Sequence, residues 1–303
     1  MACLNTSIIS AVPIDLPSGP EQYRIAEILS TLDETIEQTE MVIAKYQQMK
    51  AGLMQDLFTR GVTPDGRLRP IRIQAPHLYN ESPVGWIPKE WGIERIDRLA
   101  ESLVDGPFGS NLKTEHYVAE PGVRVVRLQN IEDGNYNDRD RAFVSIRHAE
   151  YLARNQVKPG DVLIAGLGED NNVVGRACCY PDGLPNAINK ADCFRLRCRE
   201  TRTFNAFVMH FLNTSGARQQ IRRFEQGVTR RRINTTNLRK VTVGLPTKTE
   251  QESIITILST VAAHLAFCVE ARTKLQQQKL GLMHDLLTAR VRVKATESEE
   301  VLA

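Results

Sequence analysis

Apolar side chains recur every third or fourth residue along two stretches of this chain, and the two stretches match each other. The first runs from Glu21 to Thr59 and the second from Glu250 to Thr288, at one fixed offset and without a gap. Roughly 17 of about 39 aligned positions are identical, which marks an internal repeat. In the first copy the apolar or small positions are Leu29, Leu32, Ile36, Thr39, Ile43, Tyr46, Leu53 and Leu57. In the second they are Leu258, Val261, Leu265, Cys268, Leu275, Leu282 and Leu286. This spacing is a coiled-coil seam and predicts two long helices that pair with each other. A helix of about 40 residues is roughly 60 Å long at 1.5 Å per residue. Ser18 with Glu21, and Thr247 with Glu250, have capping-box spacing, and Pro20 suits a first helical turn.

Charge sets the expected direction of pairing. Glu27, Asp33, Glu34, Glu37 and Glu40 make the first half of helix one acidic, whereas Arg272, Lys274 and Lys279 lie late in helix two. An antiparallel pair places Lys279 near Ile36 and Arg272 near Ile43, so that acid flanks base. A parallel pair in register sets Lys50 against Lys279, which repel. The antiparallel arrangement brings the end of helix one to the start of helix two, so whatever lies between them hangs from one end of a rod.

Between the repeats the period changes. Residues 61–85 hold Pro64, Gly66, Pro70, Pro76 and Pro83 and predict a linker or extended arm. Over 86–247 short apolar runs alternate with Gly, Pro and Asn. Val123–Leu128, Asp161–Ala165 and Phe194–Arg197 predict strands; Phe204–Leu212 and Ala217–Phe224 predict helices. This is a mixed α/β domain large enough for its own core. The repeat also reaches back before helix one: residues 4–17 match 233–246 at the same offset, with Val12 and Ile14 standing where Val241 and Val243 alternate. Residues 1–20 therefore look like the end of a domain whose body is missing. The expected organisation is a stub over 1–20, helices over 21–60 and 248–289, the linker, the mixed domain, and a frayed tail over 290–303. The fold class is α+β with two long helices in an antiparallel coiled coil.

Composition adds little at first. The net charge of +3 is small and the charged fraction of 25% is ordinary for a globular chain. No apolar run approaches the roughly 20 residues that span a bilayer, and no basic segment precedes an apolar one at the N-terminus. The expectation is a cytoplasmic protein without membrane contact. Six scattered cysteines without a CxxC pair point to small buried thiols rather than zinc.

The distribution of charge says more. Arg218, Arg222, Arg223, Arg230, Arg231 and Arg232 fall within fifteen residues, with Glu225 the single acid among them and Gly227 and Thr229 breaking the run. Such density suits phosphate contact and bidentate reading of guanine more than a solvated helix face. A second candidate is DGPFGSNLK, Asp105–Lys113, whose glycines permit close backbone approach and whose Asn111 and Lys113 can reach a nucleic acid. The expected DNA contacts are Asn111, Lys113, Arg222, Arg223, Thr229, Arg230, Arg231 and Arg232. Catalytic motifs are weak. Gly166 and Gly168 form a lone GxG without the rest of a cofactor fingerprint. Asp105–Phe108 resembles the DPPF-type motif of amino-methyltransferases but carries glycine for the first proline. Glu169 and Asp170 lack a nuclease-like lysine, and the six histidines show no metal spacing. No catalytic residue, metal or cofactor is expected. The rival readings are a self-contained DNA methyltransferase or nuclease, and a coiled-coil scaffold that binds protein.

Several motifs together resemble the specificity (S) subunit of type I restriction-modification systems. They are LPxxxEQ at Leu16–Gln22 and Leu245–Gln251, KxGLMxDL at Lys50–Leu57 and Lys279–Leu286, and IPKEW at Ile87–Trp91. DGPFGSNLK, PGDVLI at Pro159–Ile164 and GVTRRRINTTNL at Gly227–Leu238 complete the set. The resemblance implies two target-recognition domains at opposite ends of an antiparallel helix pair, each reading half of a bipartite double-stranded DNA site. It implies helices that dock methyltransferase (M) subunits and, through them, restriction (R) subunits. This chain departs from that plan in having one complete recognition domain. The expectation is a non-catalytic half-subunit, two copies of which associate as a homodimer to restore two reading heads.

Overall fold

The computed structural model describes residues 10–11, 16–169 and 171–293. Val12 and Ile14, Asp170 and most of the expected tail lie outside them. The described residues form two compact units, one of those within 1–50 and 260–303 and one of those within 51–259, and the division falls within both long helices.

Among the described residues, four helices have eight residues or more: α1 (Gly19–Thr59), α2 (Asn205–Leu212), α3 (Ser215–Arg222) and α4 (Lys248–Leu287). The two long ones begin as the repeat predicts. Gln22 donates to the carbonyl of Pro17 at 2.8 Å, and Gln251 donates to that of Pro246 at 3.0 Å. The repeated glutamates behave differently. Glu21 folds back to accept from the backbone and hydroxyl of Ser18. Glu250 is buried and accepts from Val62 N–H at 2.9 Å and from Arg69 at 2.5 Å. In the first unit Ile25, Ile43, Val261 and Leu286 are buried, the rings of Tyr46 and His264 stack at 5.8 Å, and Lys279 donates to Asp33 at 2.5 Å. Tyr23, Met41, Phe267 and Leu280 of the same helices are exposed.

α4 contains an 18-residue window of mean hydropathy 1.8 and is, by length and composition, apolar enough to cross a membrane. Its Ile, Leu, Val and Ala residues are interrupted by Thr256, by Ser259 with Thr260, and by His264, so no unbroken run reveals it.

The second unit carries the strands. The segment expected as a linker ends in a hairpin of β1 (Tyr79–Ser82) and β2 (Gly85–Pro88). β3 (Gly92–Arg95) and β4 (Ala100–Val104) follow, then β5 (Tyr117–Val118), β6 (Val123–Val126), β7 (Phe143–Val144) and β8 (Gln156–Val157). β9 (Val162–Ala165), β10 (Leu167–Gly168), β11 (Ala177–Cys179), β12 (Ala187–Asn189) and β13 (Cys193–Cys198) precede α2. β14 (Arg231–Arg232) and β15 (Thr242–Leu245) close the unit before α4. An antiparallel sheet has the order β11-β9-β13-β4, and a mixed sheet the order β5-β7-β6-β12-β8 with β12 parallel to β6. β15 pairs with β3 and β14 with β10.

Alternation along the strands explains the cores. In β9, Val162 and Ile164 enter one apolar cluster with Phe194, Leu196, Phe207, Phe211, Leu57 and Ile254. Leu163 and Ala165 enter a second cluster with Val126, Tyr180 and Cys193. The antiparallel sheet is thus covered on both faces, which is why β9 reads as an unbroken apolar run, whereas in β13 Phe194, Leu196 and Cys198 alternate with Arg195 and Arg197. The loops at the ends of β4, β9 and β13, with the separate β10–β14 pair, carry the candidate site.

Candidate nucleic-acid interface

α3 sets the first half of the arginine cluster. Its N-cap Thr214 accepts from Ala217 N–H at 3.2 Å, and Ala217 and Ile221 face the core. That phase turns Arg222 and, just beyond the helix, Arg223 to solvent. The chain then makes a narrow turn. Gln226 N–H donates to Arg232 O at 2.9 Å and Arg232 N–H returns to Gln226 O at 2.8 Å. Gly227 has φ +96, and a Cβ there would lie 2.4 Å from Arg230 O, so the turn demands glycine. Arg231 and Arg232 form β14 against Gly168 and Leu167, which fixes the base of the turn while Val228, Thr229 and Arg230 stand in solvent.

The structure therefore brings Arg222, Arg223, Thr229, Arg230, Arg231 and Arg232 into one exposed group. Carboxylates lie among them: Arg230 is 3.7 Å from Glu169, and Arg232 donates to Asp192 at 3.0 Å. Arg222 and Arg231 line a cavity of about 150 Å³ with Glu169 and Glu225. Arg218, from the same run, turns inward and donates to Val174 O and Asn213 Oδ1, both at 2.8 Å. Burial holds its pKa below the usual arginine value.

Asn111 and Lys113 are also exposed, on a separate loop. Asn111 O lies 2.8 Å from His148 Nε2, and Lys113 N–H donates to His116 Nδ1 at 3.0 Å. The rings of His116 and His148 stack at 4.1 Å, so the histidine pair holds this loop. At its base the Asp105 carboxylate accepts from Gly106 N–H at 2.7 Å and Asp192 N–H at 3.0 Å. Asp192 has φ 63, a left-handed conformation that costs a non-glycine residue energy. Its carbonyl accepts from Gly166 and its carboxylate from Arg232, so one strained residue ties the Asp105 loop to the arginine turn.

Sequence reasoning missed Asp192, which no motif marks, and Arg176. The buried Arg176 guanidinium donates to the carbonyls of Ile131 at 2.7 Å, Leu128 and Asn172 at 3.0 Å, and Val173 at 3.2 Å. Burial lowers its pKa from the usual arginine value. It braces the chain that carries Glu169 beside the arginine turn. The lone GxG has a packing explanation. A Cβ on Gly166 would lie 2.4 Å from the Phe194 ring, and one on Gly168 would lie 2.3 Å from Asn172 O. Cys178, Cys193 and Cys198 are buried, and burial pushes the Cys198 thiol up to about 12.

Asp105 gives a pH-dependent prediction. Desolvation pushes its carboxyl up to about 6 and Asp192 adds to the rise, against the pull of the two N–H donors and Arg232. The folded carboxyl holds its proton more tightly than the unfolded one, whose pKa is about 3.9. Its stability contribution is thus fully present below about pH 4 and lost as pH rises through about 6. In Asp105→Asn the amide oxygen can still accept both N–H bonds. The variant is expected to gain about 1 kcal/mol above pH 6, a figure reduced for partial exposure, and nothing near pH 4. Urea unfolding at the two pH values measures this; an equal gain at both would contradict it.

Comparison with known proteins agrees with this architecture. The family model for the type I restriction modification DNA specificity domain matches residues 125–276. The specificity subunit of the type I restriction enzyme MjaVIII of Methanocaldococcus jannaschii is 22% identical over 294 residues, covering 96% of this chain and 65% of that protein. That of EcoKI of Escherichia coli is 24% identical over 182 residues, covering 60% of this chain and 38% of that protein. The chain thus spans less than two thirds of the length of these relatives. Among solved structures, the S subunit of a type I restriction-modification system from M. genitalium superposes with TM-score 0.55 at 13% identity, over 89% of this chain and 61% of that one. The HsdS subunit from Thermoanaerobacter tengcongensis gives TM-score 0.50 at 17% identity, over 90% and 60%. The matched residues run from β6 through the arginine turn into α4, half of the whole sequence, and the chain belongs to the type I restriction modification DNA specificity domain family.

Proposed function

We propose that this chain is a non-catalytic specificity subunit that reads double-stranded DNA and directs type I methyltransferase and restriction subunits to a bipartite site. The observation that carries it is the exposed arginine group at the end of α3 and on the turn after it, in a domain of this family. Phosphate contacts from Arg222, Arg223 and Lys113 position the domain, and Asn111 with Thr229 and Arg230–Arg232 face base edges in the major groove. The recognition domain spans residues 86–247 and the tail begins near 290.

α1 and α4 form an antiparallel coiled coil in this proposal. The contacts of Asp33 with Lys279 and of Tyr46 with His264 support it, since the position falls along one helix as it rises along the other. Exposed Met41, Phe267 and Leu280 suit burial against methyltransferase subunits or a second copy of the chain. Two copies supply the two reading heads that a bipartite site requires. The working compartment is the cytoplasm.

Binding of the full chain to duplexes selected from a randomised library tests the proposal. Affinity is expected to fall steeply with salt, and Arg222→Ala and Arg223→Ala should each flatten the log–log slope by about 0.9 across all sequences. Salt-independent binding, or none, would favour a protein-binding scaffold. Turnover of S-adenosylmethionine, or magnesium-dependent cleavage by the lone chain, would favour a self-contained enzyme.

A further inference from the structure

Val228 is 90% exposed, more than any other large apolar residue described as exposed in this chain. A single exposed apolar side chain is ordinary on a protein surface. The position of this one is not. It stands at the tip of a turn closed by two backbone hydrogen bonds between Gln226 and Arg232. Gly227, whose Cβ would strike Arg230 O, fixes the shape that holds the side chain out. After Thr229 come Arg230, Arg231 and Arg232, and Arg222 and Arg223 precede it. Glu169 and Asp192 meet Arg230 and Arg232 toward the base of the turn. An apolar tip inside a cationic group fits an apolar feature displayed within a polyanion. Duplex DNA displays one such feature in its major groove, the 5-methyl group of thymine, and that groove is wide enough for a two-stranded ribbon.

We infer that Val228 is a specificity-determining residue that packs against a thymine 5-methyl group in the major groove while the flanking arginines take neighbouring guanines and phosphates. This rests on the proposed DNA-reading function and names a contact within it. β-branching restricts rotation of the Val228 side chain, so its methyls have less freedom to lose on binding than an unbranched side chain has.

The test begins with duplexes selected by the full chain from a randomised library. Each thymine of the selected sequence is then replaced in turn by deoxyuridine, which removes the 5-methyl group alone. At one thymine the replacement is expected to weaken binding of the natural chain about four-fold, the change matching loss of one buried methyl. Val228→Ala should bind the thymine duplex correspondingly more weakly and be indifferent to the replacement. Its exposure predicts an unchanged melting temperature. Salt-dependent, selective binding in which no thymine responds, or in which Val228→Ala responds as the natural chain does, overturns the inference and leaves the function standing. A chain that selects no duplex overturns both.

Discussion

Replacing Arg69 by alanine is expected to cost about 3–5 kcal/mol of stability, the range for breaking a buried ion pair from one side. The side chains of Arg69 and Glu250 are 7% and 8% exposed. Arg69 donates to both oxygens of Glu250, at 2.5 and 3.1 Å, and to Glu90 at 2.8 Å. Without the guanidinium, a buried carboxylate keeps the single N–H of Val62 as partner. The uncompensated charge then costs far more than a surface pair ever contributes. The pair joins the segment after α1 to the first turn of α4, and Gly61 makes room for it: a Cβ there would lie 2.1 Å from Glu250 Oε1. Glu250→Gln removes the buried negative charge and should cost less than Arg69→Ala. Arg69→Met combined with Glu250→Met, which leaves no charge buried, should recover part of the loss. Urea unfolding of the full chain gives the ordering. A cost below about 1 kcal/mol for Arg69→Ala would place the pair among surface contacts and remove its role.

Arg69 also shows where sequence reasoning stops. An arginine in a proline-rich stretch reads as solvated linker, and nothing in its neighbours announces a carboxylate some 180 residues away. The same blindness covers Arg176 and Arg218, whose carbonyl acceptors come from other loops. Period-based signals fared better where an element is long or wholly buried. α1 and α4 were legible because their apolar spacing repeats twice. β9 was legible because burial on both faces leaves an unbroken apolar run, and β13 because Phe194, Leu196 and Cys198 alternate with Arg195 and Arg197. Two-residue strands such as β10 and β14 are too short for alternation to appear, so the pairing that fixes the arginine turn was hidden. The arginine group itself was visible as density of charge. Asp192, which ties its base to the second loop, was invisible, since a strained conformation leaves no mark on composition.

Gly106→Ala should be the most disruptive small substitution within the candidate interface. A Cβ at this buried position would lie 1.9 Å from the carbonyl carbon of Lys190, 2.0 Å from its oxygen and 2.4 Å from Ala191 N. All three are backbone atoms, so no side chain can rotate away and one loop must leave the other. The displaced segment carries the Asp105 carboxylate that holds Asp192 N–H, and Asp192 in turn holds Arg232. Overpacking commonly costs about 1–3 kcal/mol, and contact with rigid backbone on three atoms puts this case at about 3 kcal/mol or above. The loss should be read in urea together with the DNA affinity of the fraction still folded. If Asp192 transmits the displacement, selectivity among duplexes falls while the part of the salt slope set by Arg222 and Arg223, on α3 and beyond it, persists; only the share of Lys113, on the displaced loop, is lost. Unchanged selectivity in a folded Gly106→Ala chain would mean that the two loops read DNA independently, and Asp192 would then be a local strain with no part in recognition.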